Sequence, residues 1–358
     1  MQNKDNKTAT LYESTGRSHI VVPIMLVLAV VFNVAALIAP FYTAKLFFNS
    51  PYTFTLPHSV WMLWEQHFFF IALLIFSFSI VFPFLKLTAL VYIWFVCRNA
   101  NKRERLITIV GPLGKWSMLD IFVTIILLVL TNDRFLITSS LKIGVYFFLT
   151  AIFLSMTCAL RMETLMFARG IKSRVHKMLF IQRIGNVSYA RRIAVFVLLI
   201  LSLTSLVLAV KIPFIRTSDF FFANNEYSVL TAVPALWDAS KVLTCFVVFT
   251  LILCPLLHVV GLMIMWAGRL KPEFSYRIER CLHIISIFNM LDVFCLALFV
   301  FITEGGALIM TEAKSGLYLL LIFLFCAYLI PIIIQGTHKK YLQYIKQPIK
   351  TVFRYPAP

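Results

Sequence analysis

Long hydrophobic runs alternate with short polar segments along the whole chain. Eight of these runs are long enough for a membrane-crossing helix, which needs about 20 mostly apolar residues. They cover residues 20–39, 67–97, 109–131, 143–160, 193–212, 242–268, 281–303 and 315–335. Because a backbone inside a bilayer must pair its polar groups internally, each run is predicted to form a helix rather than an open strand.

The second half of the sequence repeats the first half. A shift of 172 positions carries Pro83 onto Pro255 and Trp94 onto Trp266. The same shift aligns Asp120 with Asp292, Phe122 with Phe294, Lys142 with Lys314 and Gly144 with Gly316. Internal repeats of this kind indicate duplicated structural units. We therefore predict an all-α integral membrane protein whose eight transmembrane helices form a tandem parallel repeat of two four-helix units.

The repeat divides the chain into five segments. The two membrane units are expected at 20–160 and 193–335, and a basic linker at 161–192 joins them. A polar N-terminal segment at 1–19 and a basic tail at 336–358 flank the units.

Positive charge is concentrated in alternate segments between the runs. The chain has 33 Lys and Arg against 15 Asp and Glu, and its net charge is +18. Loops rich in Lys and Arg remain in the cytoplasm, so the linker and both termini are expected in the cytosol. The same dispersal argues against nucleic acid as a partner, because nucleic-acid binding uses a continuous basic patch.

The rest of the composition supports a membrane protein that has neither a metal site nor a catalytic motif. The chain is 61% hydrophobic and 13% charged, whereas soluble domains are about 25% charged. Its seven cysteines form no Cys-x-x-Cys pair, so no metal site is expected. Nucleotide-binding and nucleophile motifs are also missing from the sequence, and we expect neither a cofactor nor an enzymatic activity.

One carboxylate interrupts the apolar run in the third span of each unit. Asp292 has eleven residues on either side within 281–303, and Asp120 holds the same place in 109–131. An Asp at the bilayer centre costs about 2.5–3.5 kcal/mol on insertion scales. Such a residue needs a partner, a water-filled cavity or a proton.

The preceding span offers a basic partner in each unit. Lys86 lies near the middle of its run, and His258 is its equivalent in the second unit. We expect Lys86 to face Asp120 and His258 to face Asp292, where the histidine could titrate near neutral pH. The expected intramembrane polar network, with a role in transport or coupling, comprises Lys86, Lys115, Ser117, Asp120, His258, Asn289 and Asp292. Such groups are functional candidates by default, although buried pairs can also serve only to hold helices together.

A helix break is expected inside the third run. Gly111, Pro112 and Gly114 weaken the helix there, because proline removes a hydrogen bond and glycine has low helix propensity. The second unit lacks this Gly-Pro pattern, so the two units need not be equivalent.

Two strings of residues resemble the paraquat-inducible protein A family. They are Phe-Pro-Phe-Leu-Lys-Leu at 82–87 and Gly-Lys-Trp-Ser-Met-Leu-Asp at 114–120, with a weaker second copy ending in Asn-Met-Leu-Asp at 289–292. The resemblance covers roughly residues 20–335. It departs from many members by lacking four-cysteine zinc ribbons, and it has His258 and Ile287 where the first unit has Lys86 and Lys115.

The resemblance implies a bacterial inner-membrane protein that passes lipids between the membrane and a periplasmic tunnel of mammalian-cell-entry-domain proteins. Protonation of the Asp-centred network is a candidate coupling step. Two alternatives stay open: a proton-coupled transporter of small solutes, and a passive membrane anchor or assembly factor.

Overall fold

A computed structural model describes residues 10–14, 18–46, 52–132, 137–168, 189–218, 224–267, 272–304 and 311–345. Within these residues, eight helices are long and apolar enough to cross a membrane. They are Ile20–Ile38, Phe69–Phe95, Asn101–Leu130, Ile143–Met166, Arg192–Lys211, Lys241–Trp266, Arg280–Thr303 and Ser315–Ile333. The expected all-α, multi-pass membrane architecture is therefore confirmed.

The first unit consists of four spans with additional short elements on one side. Helix α1 (Ser18–Ile38) leads into strands β1 (Tyr42–Leu46) and β2 (Tyr52–Phe54) and helix α2 (Leu56–Glu65). Helix α3 consists of Phe69–Ile75, a π-helical segment Phe76–Val81 and Phe82–Phe95. The third span is broken into α4 (Ala100–Trp116) and α5 (Leu119–Asn132), and strand β3 (Ile137–Leu141) precedes α6 (Ile143–Ala168).

The second unit repeats this order element by element. Helix α7 (Tyr189–Lys211) is followed by β4 (Ile215–Ser218), β5 (Asn224–Tyr227) and α8 (Val229–Ala239). Helix α9 consists of Lys241–Val247, a π-helical segment Val248–Leu253 and Cys254–Ala267. The elements α10 (Pro272–Phe288), α11 (Leu291–Glu304), β6 (Thr311–Ala313) and α12 (Ser315–Ile345) complete it. The duplication thus extends to the π-helical segments and the helix breaks.

Each unit carries a small antiparallel sheet that the sequence analysis did not predict. The strand orders are β2-β1-β3 and β5-β4-β6. In the first sheet Tyr42 lies opposite Phe54 and Leu141, and in the second sheet Ile215 lies opposite Tyr227 and Ala313. Strands of three to five residues are too short to give a recognisable alternation of polar and apolar positions.

Both sheets lie on the same side of the protein. A small apolar cavity of about 20 Å³ is lined by Val129 and Leu130, near the end of α5 that leads to β3, and by Ile215 and Tyr227 of the second sheet. The two units therefore have the same orientation, as a parallel repeat requires.

Two matched glycines allow the close backbone approach that joins each sheet to its fourth span. The Gly144 N–H donates to the Pro40 carbonyl oxygen at 2.9 Å, and the Gly316 N–H donates to that of Pro213 at 3.0 Å. A Cβ atom at residue 144 would lie 2.7 Å from the Pro40 oxygen. Steric exclusion of a side chain explains why both copies keep glycine here.

The larger apolar cluster extends across both units. Phe122 and its repeat equivalent Phe294 pack edge to face with their ring centroids 5.7 Å apart, and Phe122 also stacks on Phe246 at 6.0 Å. A second, smaller cluster lies within the first unit and includes Leu26, Leu90 and Met162. The two units therefore share one core, while the first unit also has a core of its own.

The helix break lies elsewhere than expected. Helix α4 continues through Gly111, Pro112 and Gly114, and the chain leaves the helix at Ser117 and Met118. The second unit is broken at the equivalent Asn289 and Met290, although it has no Gly-Pro pattern. The expectation of a break at Gly111, Pro112 and Gly114 is therefore wrong, because α4 is continuous through these residues.

A helix-start signal shared by both copies accounts for the observed position of the breaks. Ser117 precedes Asp120 by three residues, and Asn289 precedes Asp292 by three. This spacing is typical of a helix N-terminus. Asp120 and Asp292 lie in the first turns of α5 and α11, where a carboxylate complements the positive end of the helix, and Asn289 Oδ1 also accepts from the Leu291 N–H, a bond that Ser117 Oγ does not make. Proline inside a membrane helix is tolerated where neighbouring groups compensate for the lost bond.

We predict that Gly144→Ala and Gly316→Ala each destabilise the protein by about 1–3 kcal/mol, the usual cost of forcing extra volume into a packed site. The matched control is Gly111→Ala, because a Cβ there meets nothing within 4 Å. That substitution should be neutral or stabilising, since Ala is the better helix former. Thermal unfolding in detergent checks the prediction, and equal effects of all three substitutions would contradict it.

Candidate functional site

A layer of buried polar side chains crosses the interior of the first unit. Its members are between 0 and 6% exposed. They are Asn33 on α1, Ser79 and Lys86 on α3, Ser117 and Asp120 at the break between α4 and α5, and Ser155 on α6. We call this set the polar layer.

The polar layer separates the two apolar clusters of the first unit. On α1, Asn33 lies between Ala29 of the smaller cluster and Ala36 of the larger one. On α6, Ser155 lies between Ile152 of the larger cluster and Cys158 of the smaller one. Polar groups in such surroundings require internal partners, because an unpaired buried group costs about 1–3 kcal/mol.

Lys86 binds a serine on the fourth span. Its Nζ donates to Ser155 Oγ at 3.0 Å, and Ser155 Oγ donates to the Ile152 carbonyl oxygen at 2.8 Å. The ammonium lies so close to Gly114 that a Cβ atom there would collide with Nζ. Gly114 therefore makes room for Lys86 and does not break the helix.

Asp120 does not pair with Lys86, contrary to the expectation. Its side chain lies beside Ser79, yet Asp120 Oδ2 and Ser79 Oγ have no hydrogen-bond partner among the described residues. No ion pair between Lys86 and Asp120 occurs among the described residues either. Ser79 and Lys86 are seven positions apart, which corresponds to about 10 Å along a helix, and this separation accounts for the missing pair.

Asp292 pairs across the two units. Its Oδ2 accepts an ion-pair hydrogen bond from Lys115 Nζ, and the side chains of Lys115 and Asp292 are 19% and 10% exposed. Tyr328 Oη donates to the same oxygen at 3.1 Å, and Asp292 Oδ1 accepts from the Val293 N–H at 3.0 Å. The expected pair with His258 is therefore wrong: His258 lies partly buried on α9 and forms no ion pair among the described residues.

One difference between the repeats explains why only one carboxylate has a cation. The repeat relates Lys115 to Ile287 and Asp292 to Asp120. A bond reciprocal to the Lys115–Asp292 pair would therefore join residue 287 to Asp120, and an isoleucine cannot form it. The remaining expected member of the network, Asn289, caps its break by accepting from the Leu291 N–H at 3.4 Å.

Further contacts join the units on either side of the ion pair. Tyr146 Oη shares a hydrogen bond of 2.8 Å with Ser240 Oγ, and His283 Nε2 lies 3.1 Å from Glu163 Oε2. Phe153 packs against Phe246 with a centroid separation of 5.9 Å. The Lys115–Asp292 pair is thus one part of a continuous interface.

Sequence reasoning missed several residues that the fold brings to this region. Asn33, Ser79, Ser155 and Tyr328 were not among the expected residues. Asn33 had a usable signal, because a lone Asn inside an apolar run is a functional candidate. Ser79 and Ser155 had none, since serine is common in helices that bond it to their own carbonyls.

Two stretches of the chain, residues 22–168 and 194–336, match the sequence model of a family described as Paraquat-inducible protein A. The matched stretches include both helix breaks and the whole polar layer. No curated protein and no solved structure matches the chain.

We predict that Lys115→Met destabilises the protein by about 3 kcal/mol, because it leaves Asp292 buried without a cation. The double variant Lys115→Met/Asp292→Asn should recover most of the loss. Unfolding free energies of the two single variants and the double variant give the coupling. Lys102→Met, at an exposed position of the same helix, is the control, and additive effects of the pair would contradict the prediction.

We predict that Gly114→Ala destabilises the protein through its collision with Lys86, by about 1–3 kcal/mol. In a Lys86→Ala background the same substitution should cost much less, because the obstructing ammonium is gone. Denaturation of the four proteins of this cycle measures the difference. An equal cost in both backgrounds would show that Lys86 is not the group that requires glycine.

Proposed function

Because the chain belongs to the paraquat-inducible protein A family, we propose that it passes lipids between a bacterial inner membrane and a periplasmic mammalian-cell-entry-domain partner. The family and the helical architecture fit a non-enzymatic, multi-pass membrane component. In the proposed arrangement the sheets face the periplasm, and the basic linker and both termini face the cytosol, as the distribution of Lys and Arg favours.

The observation that carries the proposal is an apolar groove on the outer face of α3. It has a volume of about 650 Å³ and is lined by residues that include Val81, Phe84, Leu85 and Tyr92. All of its lining residues belong to this one helix, so the groove is shallow and open on its outer side. A groove that opens sideways from a spanning helix faces hydrocarbon, so an acyl chain suits it better than a water-soluble solute does.

The opposite face of α3 carries the polar layer. Leu85 lines the groove, while its neighbour Lys86 is buried against Ser155. The π-helical segment Phe76–Val81 lies in the same helix and contains Ser79. Such segments are frequent at functional sites, because their irregular hydrogen bonding permits local rearrangement. A lipid in the groove is therefore well placed to alter the packing of the polar layer.

Broken helices at a repeat interface also favour transport over passive anchoring. Transporters often place substrate and ion sites at discontinuous helices, where free helix ends can bind charged groups. Helix α5 has 14 residues, about 21 Å at 1.5 Å per residue, and is too short to cross a hydrocarbon core of about 30 Å alone. The break at Ser117 and Met118 therefore falls inside the span.

We predict that Leu85→Trp, which fills the groove, lowers lipid transfer about tenfold, equivalent to a loss of about 1.4 kcal/mol of binding free energy. The matched control is Leu257→Trp, since Leu257 is the exposed repeat equivalent of Leu85. Proteoliposomes that contain fluorescent phospholipid and the full chain are mixed with the purified periplasmic partner, and the initial transfer rate is measured.

Equal rates for the two tryptophan variants would contradict the role of the groove. Normal transfer by alanine variants of Lys86, Asp120 and Asp292 that still fold would favour a passive anchor. Solute uptake driven by a pH gradient, without any partner, would favour a small-solute transporter.

A further inference from the structure

Three buried side-chain oxygens at the first helix break have no hydrogen-bond partner among the described residues. They are Ser79 Oγ, Ser117 Oγ and Asp120 Oδ2. The side chain of Asp120 lies beside Ser79 in the polar layer, and Ser117 is three residues before Asp120 at the same break. The serine hydroxyls can donate as well as accept hydrogen bonds, but they bring no positive charge to the buried Asp120 carboxylate, so the cluster indicates a bound group that supplies that charge.

Hydroxyls at two positions of other spans are satisfied by a carbonyl of the preceding turn. Thr150 Oγ1 donates to the Tyr146 carbonyl oxygen at 2.7 Å, and Thr250 Oγ1 donates to that of Phe246 at 2.8 Å. Ser79 lies in the π-helical segment and Ser117 lies in the break, and neither hydroxyl makes such a bond. Neither hydroxyl is therefore bound to the backbone of its own helix, and that of Ser79 lies beside the Asp120 carboxylate.

The helix ends around the break favour a cation next to the carboxylate. Helix α4 ends at Trp116, and the last carbonyl groups of a helix carry partial negative charge and lack partners in the helix. Helix α5 begins at Leu119, so Asp120 lies in its first turn, directly after the break. Unwound backbone carbonyls and helix C-terminal ends coordinate sodium ions or protons in broken-helix transporters.

The charge balance selects a monovalent ion. Asp120 is the single carboxylate at the break, so one positive charge in contact with it neutralises it, whereas a divalent ion leaves an excess charge at this buried position. Lys86 is displaced by about 10 Å along α3, and its Nζ is bound to Ser155. Because Coulomb attraction falls with distance, an ion in contact stabilises Asp120 several times more strongly than Lys86 does.

The second unit has the same break but not the same need for a cation. Asp292 already binds Lys115 and Tyr328, and Leu251 stands where the first unit has Ser79. We propose that Asp120, Ser79 and Ser117 form a sodium-binding site at the helix break of the first unit. The role of this ion in driving transport rests on the proposed function, while its binding does not.

The test uses the full chain in lipid nanodiscs and radioactive sodium. Wild-type protein is expected to bind sodium saturably and to unfold at a higher temperature in sodium chloride than in choline chloride of equal ionic strength. Asp120→Asn should abolish both effects. Ser79→Ala and Ser117→Ala should each weaken binding about tenfold, or 1.4 kcal/mol, and they keep the test decisive if the Asp120 variant fails to fold.

Two variants serve as matched controls. Lys115→Met/Asp292→Asn removes the repeat-equivalent carboxylate together with its cation, and Ser202→Ala removes another buried hydroxyl without a partner among the described residues. Both should bind sodium as the wild type does. Ile287→Lys places an ammonium where the repeat symmetry puts it against Asp120, and it should eliminate sodium binding in a folded protein.

The site is overturned if wild-type protein shows no saturable sodium binding, or if Asp120→Asn binds sodium normally. It is also overturned if infrared spectra in sodium chloride show a protonated carboxyl group that Asp120→Asn removes. Lipid transfer by a protein that binds no sodium would overturn the ion site alone. Sodium binding without any lipid transfer would support the site and contradict the proposed function alone.

Discussion

The packing of the two units depends on the partly buried ion pair between Lys115 and Asp292. It links the end of α4 in the first unit to the start of α11 in the second, and Tyr328 on α12 completes the coordination of the carboxylate. A charge pair removed from water adds little net stability, yet loss of one partner is costly. The two units can therefore pack only in arrangements in which these groups meet. The aromatic contacts of Phe122, Phe153 and Phe294 form within such an arrangement.

Duplication preserved the backbone of the two units, whereas their buried charges diverged. Both copies keep the proline and glycine at the sheet, the π-helical segment and the break before the buried Asp, because each feature depends on backbone geometry. The side chains around the break changed more freely. With Lys115 in one copy and Ile287 in the other, the described residues contain an ion pair at Asp292 and none at Asp120.

The first unit therefore contains the groups at which charge and packing can change. Its polar layer separates two apolar clusters, and close packing within each cluster resists gradual deformation. Helix α3 connects this layer to the outer groove through adjacent residues, Lys86 and Leu85. A change of charge at Asp120 and the occupancy of the groove can therefore influence each other through one helix, which is the kind of linkage that the proposed lipid transport requires.

The sequence by itself determined the eight spans, the tandem repeat, the family and the two buried carboxylates. Long apolar runs have one stable conformation in a bilayer, and an Asp within such a run is conspicuous. Only the tertiary structure decided which groups those carboxylates meet. Lys86 and Asp120 lie on neighbouring spans but at different heights, and Lys115 reaches Asp292, which is 177 positions away. The groups that pair with each carboxylate depend on how whole helices pack. The role of Gly114 depends on the same packing, because Lys86 lies against it.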